Sequence, residues 1–113
     1  MRVDESSIPT VDFAVTTEVD NRTCIVSVQG ELDVYTAPLL RERLHEVLAQ
    51  GASKVVLDLH GMTFIDSTGL GVVIGALKRL RESDGDLVLR APSRSTRKVL
   101  DITGLREILE IID

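Results

Sequence analysis

A strand-to-helix turn is encoded by eight consecutive residues of this chain, Phe64-Ile65-Asp66-Ser67-Thr68-Gly69-Leu70-Gly71. The preceding run at 54–59 is short and apolar, which is typical of a buried strand. After the turn, apolar residues recur at spacings of three and four: Leu70, Val73, Ile74, Leu77 and Leu80. This spacing predicts an amphipathic helix. Asp, Ser and Thr all favour a helix start, because their side chains accept hydrogen bonds from the free N–H groups of the first turn.

Two residues compete for the N-cap position of this helix. With Asp66 as the N-cap, Ile65 and Leu70 take the N′ and N4 positions, where an apolar pair forms a hydrophobic staple. With Ser67 as the N-cap, the same positions hold Asp66 and Gly71, which offer no apolar contact. To within one residue, we therefore predict Asp66 as the N-cap and Ser67 as the first helical residue.

Ser67 then lies at the positive end of the helix dipole, beside unpaired N–H groups. An added phosphate suits this position because the phosphate is negatively charged. The position suits equally a serine whose only role is to begin a helix. Capping chemistry alone leaves both interpretations open.

The helix flank beside Ser67 carries little side-chain bulk. At about 100° per residue, three residues share this flank with Ser67: Gly71, Gly75 and Lys78. Val72 is predicted to face further outward. Each glycine inside a helix costs about 1 kcal/mol relative to alanine, so we expect a role that needs close approach of the backbone. That role is either close packing within the fold or a partner surface centred on Ser67.

The central stretch and its surroundings resemble the signature of the STAS domain. They are most similar to the small stand-alone members that act as bacterial anti-sigma factor antagonists. The similarity runs from about Val11 to the end of the chain. Its main segments are Val56-Leu57-Asp58-Leu59, residues 62–71, Gly30-Glu31-Leu32-Asp33 with Thr36-Ala37-Pro38, and Thr103-Gly104-Leu105.

This resemblance implies both a fold and a mechanism. The fold is an α/β STAS-type sandwich, with helices packed against a mixed, mostly parallel sheet of four to five strands. In the mechanism, the unphosphorylated protein binds an anti-sigma serine kinase and so releases a sigma factor. The kinase then phosphorylates the serine that follows the aspartate, Ser67 here, and a PP2C-type phosphatase reverses the step. The residues expected to contact the partner are Asp33, Asp66, Thr68, Gly69, Gly71, Val72, Gly75 and Lys78.

Several alternatives stay open at this point. The chain could instead be a scaffold subunit of a stress-signalling complex or an accessory domain of a transporter. Ser67 could remain unmodified, with binding alone regulating the partner. Asp33 could be a solvated loop acid rather than a partner contact. We expect a cytoplasmic monomer or weak dimer.

Composition favours a single globular domain in a reducing compartment. The 113 residues are 43% apolar, which is enough to build the core of one globular domain. We expect a polar lead-in at 1–10, and the resemblance implies one STAS domain at 11–113. The single cysteine, Cys24, excludes an internal disulfide, and its alternation with Val26 and Val28 predicts burial in a strand. No apolar run is long enough to span a membrane, and no signal-peptide pattern is present.

Charge and motif content argue against nucleic-acid binding and catalysis. The net charge of −5 argues against the basic domain that usually binds nucleic acid, and with only 3% aromatic residues no base-stacking surface is expected. A locally basic surface is expected on the second and third helices, as a solvated face or as a partner for acidic residues of the kinase: Lys78, Arg79, Arg81, Arg94, Arg97 and Lys98. His45 and His60 do not form a nucleophile motif with Ser67. Two histidines and one cysteine make no metal-ligand cluster, and no Walker-type loop is present. We therefore expect no catalytic residue, metal or cofactor.

The first half of the chain predicts a hairpin followed by a helix. Strands at 13–19 and 23–29 flank a turn-prone cluster at 20–22 and should pair antiparallel. Residues 30–33 are predicted to leave the sheet. Thr36 is predicted to cap a helix with Pro38 in its first turn.

The second half predicts alternating strands and helices. A strand at 86–91 precedes a helix over Arg94–Thr103, with Val99, Leu100 and Ile102 facing inward and Gly104 ending it. Residues 109–112 are predicted as a last strand, although 105–112 also has helical spacing, and the resemblance implies a further terminal helix.

Overall fold

The computed structural model describes residues 13–113, so the predicted lead-in at residues 1–10 lies outside the described residues. The strands are β1 (Phe13–Asp20), β2 (Thr23–Leu32), β3 (Lys54–Ile65), β4 (Asp86–Arg90) and β5 (Glu110–Ile112). The helices are α1 (Ala37–Ala49), α2 (Ser67–Glu82) and α3 (Arg94–Thr103), and a short 3₁₀ turn spans Leu105–Glu107.

The strands form one five-stranded sheet in the order β1-β2-β3-β4-β5. β1 and β2 pair antiparallel, whereas β2 with β3, β3 with β4 and β4 with β5 pair parallel. Each parallel step is connected through one of the three helices, as parallel strands require. The predicted mixed, mostly parallel α/β sheet is therefore confirmed.

The core lies where α1 and α2 cover the middle strands, and side-chain alternation builds it. Cys24, Val26 and Val28 are buried along β2, as their spacing predicts. Burial raises the pKa of the Cys24 thiol, which keeps this side chain protonated. Cys24 is therefore a core residue rather than a reactive one.

The prediction that residues 30–33 leave the sheet is wrong for the first three of them. β2 continues through Leu32, because β3 itself runs on to Ile65 and keeps pairing with it. Two register irregularities accompany this extension, and Gly30 has a φ of 100° beside one of them. As a result, Leu32 and Ile65 are register partners at the ends of neighbouring strands.

The C-terminal third agrees with the prediction to within one residue at the strand ends and differs in the direction of Ile102. α3 spans Arg94–Thr103 and ends at Gly104 in the left-handed conformation, both as predicted. Ile102 does not face inward: it is 74% exposed, because it lies about 200° around the helix from buried Leu100. The last element is the strand Glu110–Ile112 rather than a helix.

An ion pair joins β3 to β4 within the sheet. Asp58 and Arg90 are register partners, and Arg90 Nη2 donates to Asp58 Oδ2 at 2.7 Å. Partial desolvation opposes ionisation of Asp58, but hydrogen bonds from Arg90 and from the N–H of His60 outweigh it. The pKa of Asp58 therefore lies below its ordinary value.

Replacing Asp58 by asparagine should lower the free energy of unfolding by about 1–2 kcal/mol at pH 7. Folding lowers the pKa of Asp58, so the carboxylate stabilises fully above its unfolded pKa of about 3.9. That contribution disappears as the pH falls through the folded pKa, so urea unfolding should show the wild-type–variant gap shrinking below about pH 4. The control is Asp101→Asn, whose pair with Arg106 is 52% exposed on both sides and should contribute less than about 0.5 kcal/mol. Equal losses in the two variants would contradict the prediction.

Candidate interaction site at the start of α2

The first turn of α2 has the predicted capping arrangement. Asp66 is the N-cap, with extended backbone, and its Oδ1 accepts a hydrogen bond from the Gly69 N–H at 2.9 Å. Ser67 is the first helical residue and is exposed. None of the hydrogen bonds described for residues 13–113 uses the Ser67 hydroxyl. The choice of Asp66 over Ser67 as N-cap is confirmed, and the serine presents an accessible hydroxyl.

Gly69 anchors this turn to the sheet. It is buried, and a Cβ built on it would lie 2.7 Å from Leu32 Cγ and 3.1 Å from Ile65 Cγ1. One residue before the helix, the Asp66 N–H donates to the Leu32 carbonyl at 3.1 Å. Gly69, which we predicted as a partner contact, thus lies in the packing between α2 and the ends of β2 and β3.

The loop between β2 and α1 is organised by Asp33. Its Oδ1 accepts hydrogen bonds from the Tyr35 N–H at 2.9 Å and the Thr36 N–H at 3.0 Å. Desolvation opposes ionisation of this carboxylate, but these hydrogen bonds outweigh it and hold the pKa of Asp33 below its ordinary value. Thr36 is the N-cap of α1 without a side-chain capping bond, because its hydroxyl oxygen accepts instead from the Asp33 N–H at 2.9 Å, while the hydroxyl donates to the Glu31 carbonyl at 2.7 Å.

Four large apolar side chains are exposed on the last part of β3, the β2–α1 loop and the first turn of α1, and we call them the apolar rim. It consists of Val34 (55% exposed), Tyr35 (85%), Leu39 (54%) and Phe64 (48%). The rim holds two of the three aromatic residues of the chain. Solvent exposure of large apolar side chains on one edge is typical of an interaction site. Sequence reasoning missed this surface, although the Val34-Tyr35 pair between two polar loop residues was a usable signal.

A groove between α1 and α2 begins at Ser67, and we call it the α1–α2 groove. Its volume is about 230 Å³. The lining residues are Arg41, Leu44, His45, Leu48, Ser67, Thr68, Gly71, Val72, Gly75, Ala76 and Arg79. A Cβ on Gly71 or Gly75 would meet nothing within 4 Å. The two glycines therefore do not serve close packing within the fold, and they leave open space beside Ser67.

The structure brings together five of the predicted site residues and separates the others. Ser67, Thr68, Gly71, Val72 and Gly75 line the α1–α2 groove. The prediction that Val72 faces outward is wrong: it is 7% exposed, because α1 packs beside this part of α2. Of the other four predicted residues, Asp66 and Gly69 form the first turn of α2 beside Ser67. Lys78 is exposed outside the groove lining, and Asp33 lines a separate cavity beside the β2–α1 loop.

Residues 13–113 can also be considered for a metal site and for a membrane-spanning helix. Among residues 13–113, no group of three or more His, Cys, Asp or Glu side chains is placed to hold a metal ion. Over the same residues, no helix combines the length and apolar character needed to cross a membrane.

Comparisons with known proteins agree with this geometry. The family described as STAS domain matches residues 14–113. The anti-sigma-B factor antagonist of Bacillus subtilis strain 168 is 42% identical over 86 residues, which cover 76% of this chain and 78% of that protein. The crystal structure of an anti-sigma factor antagonist from Mycobacterium paratuberculosis superposes with a TM-score of 0.81 at 27% identity, over 91% of this chain and 88% of the other. The Bacillus cell fate determinant SpoIIAA, solved in its phosphorylated form, gives a TM-score of 0.70 at 29% identity, over 87% and 90% of the two chains.

Proposed function

The chain belongs to the STAS domain family of bacterial anti-sigma factor antagonists, and from this membership we propose a phosphorylation-controlled partner switch. In its unphosphorylated form the protein binds an anti-sigma factor that is a serine kinase, and the sigma factor is released. The kinase phosphorylates Ser67, which ends the complex, and a PP2C-type phosphatase restores the binding form. The switch operates in the cytoplasm without a cofactor.

The observation that carries this proposal is the accessible Ser67 hydroxyl at the first position of α2, together with the apolar rim. A kinase needs an exposed hydroxyl, and a protein partner needs apolar surface to bury. The β2–α1 loop with Val34 and Tyr35 and the start of α2 with Ser67 both follow the carboxyl ends of neighbouring strands, since Leu32 and Ile65 are register partners. The similarity to SpoIIAA, which has been solved in a phosphorylated form, supports the same assignment.

Phosphorylation is expected to act at the interface rather than on the fold. A phosphoserine adds about −1.5 to −2 charges at pH 7. The N-terminus of α2 favours that charge by about 0.3–1 kcal/mol, while the neighbouring carboxylate of Asp66 repels it. These two effects oppose each other, so the fold should change little. A dianion held in a desolvated contact costs several kcal/mol, which is enough to dissociate a complex.

Mass spectrometry tests the assignment of the modified residue. The protein is incubated with ATP and each serine-kinase anti-sigma factor of the source genome, and any phosphoryl group is mapped to a residue. We expect one phosphoryl group on Ser67, none on a Ser67→Ala variant, and an unchanged yield on a Thr68→Ala variant. Transfer to Thr68, or transfer that survives in Ser67→Ala, would contradict the proposal.

A further inference from the structure

The α1–α2 groove extends well beyond the residue that is modified. Along α2 it runs from Ser67 to Arg79, which at 1.5 Å per residue is about 18 Å. Along α1 it runs from Arg41 to Leu48. A kinase contact at one serine does not account for a groove of this length, which equals about three turns of a helix.

Four apolar side chains line the groove beside its polar residues, and its free space is small. Leu44, Leu48, Val72 and Ala76 line it, and the open space lies over Gly71 and Gly75. Its volume of about 230 Å³ falls below the range of about 300–1,000 Å³ that is typical of small-molecule pockets. A volume of this size instead suits single apolar side chains, the anchors that fill pockets at protein interfaces.

The charge of the groove indicates which kind of partner surface it can bind. Arg41 and Arg79 contribute one guanidinium from each helix, and no acidic residue lines the groove. Within residues 13–113, neither arginine forms an ion pair, whereas Arg43, Arg81, Arg90, Arg97 and Arg106 each do. In a chain with a net charge of −5, the groove therefore carries a local excess of positive charge. Complementarity requires carboxylates on the occupant.

We propose that the α1–α2 groove binds one face of an acidic amphipathic helix of the anti-sigma factor. The identity of the partner rests on the proposed function, whereas the chemistry of the occupant rests on the groove itself. Apolar side chains at spacings of three and four residues enter the space over Gly71 and Gly75. Flanking carboxylates pair with Arg41 and Arg79. The groove thus sets which anti-sigma factor binds, and Ser67 sets whether it binds.

Two variants with matched controls test the groove against the anti-sigma factor. Gly75→Leu fills the open space, and Ala49→Leu adds the same kind of bulk at an exposed α1 position outside the groove. A double variant, Arg41→Glu with Arg79→Glu, reverses the charge, and the double variant Arg94→Glu with Lys98→Glu makes the same change in net charge on exposed α3. Isothermal titration calorimetry with unphosphorylated proteins should show at least tenfold weaker binding for both groove variants and less than twofold change for the controls. Circular dichroism checks that every variant is folded.

A second measurement does not depend on the anti-sigma factor. A three-turn helical peptide with leucines on one face and glutamates beside them is titrated into ¹⁵N-labelled protein, alongside a twin in which lysines replace the glutamates. We expect the acidic peptide to shift the amide signals of Gly71, Val72 and Gly75, and to bind at least tenfold more tightly than its basic twin.

The outcomes separate this inference from the proposed function. Undiminished binding of the anti-sigma factor by both groove variants would overturn the groove assignment and leave the switch intact. Failure of the wild-type protein to bind any anti-sigma factor would overturn the switch, and the peptide titration would then decide on the groove. Equal or absent shifts with the two peptides would overturn the groove chemistry.

Discussion

A Ser67→Asp variant should bind the anti-sigma factor about 100-fold more weakly than the wild-type protein, a loss of about 2.7 kcal/mol. Ser67 is the exposed first residue of α2 and follows the Asp66 carboxylate, so a second carboxylate there adds like charge and is desolvated when the partner covers it. Desolvating an unpaired charge at an interface costs several kcal/mol. Calorimetric titration of the two proteins against the same anti-sigma factor measures the difference.

The matched control is Ser67→Asn, which has the shape of the aspartate variant without its charge. We expect its affinity to fall less than about fivefold, because a neutral amide at the same position adds only a modest desolvation cost. Both variants should keep the native circular dichroism spectrum, since Asp and Asn are tolerated at a helix start. Equal affinity losses in the two variants would show that bulk rather than charge breaks the complex, and a lost native spectrum would show that the switch acts on the fold.

Replacing Gly69 by alanine should destabilise the protein by about 1–3 kcal/mol, although alanine is the better helix former. The added Cβ would lie 2.7 Å from Cγ of Leu32, a fully buried side chain that cannot move aside freely. The same change at Gly71 or Gly75 meets open space, so it should stabilise by about 0.5–1 kcal/mol through helix propensity alone. Urea unfolding with a common m-value measures all three free energies.

The sign of these three effects is the decisive result, because the same substitution is made three times in one helix. Destabilisation at Gly71 or Gly75 of the size expected at Gly69 would mean that this flank is packed in solution. A neutral Gly69→Ala variant would mean that α2 and Leu32 separate easily, and the start of α2 would then not be rigidly held.

Local signals made the turn and most helix ends predictable. Asp66, Ser67 and Gly104 were placed correctly, since capping and the left-handed helix end depend on neighbours in sequence. The extension of β2 through Leu32 was missed because it depends on pairing with β3, more than thirty residues later. Ile102 was misplaced because three apolar residues in a short helix do not define its buried face.

Part of the candidate site was predictable, because helical periodicity also depends on neighbours in sequence. Helical periodicity put Ser67, Gly71 and Gly75 on one flank, but it could not show that α1 lies beside that flank and buries Val72. The exposure of Tyr35 depends on how Asp33 folds the β2–α1 loop, so the Val34-Tyr35 pair could indicate an apolar surface but not how far it is exposed. Contacts between elements distant in sequence decide both points.

The backbone hydrogen bond from the Asp66 N–H to the Leu32 carbonyl bears on how fast the proposed switch can respond. It ties the end of β2, which leads into the loop that holds Tyr35, to the helix start that holds Ser67, so the proposed contact surface and the proposed modification site are held next to each other. Addition of a phosphoryl group then requires no slow rearrangement before the surface changes. If the proposed switch operates, its response time is therefore set by the turnover of the kinase and the phosphatase.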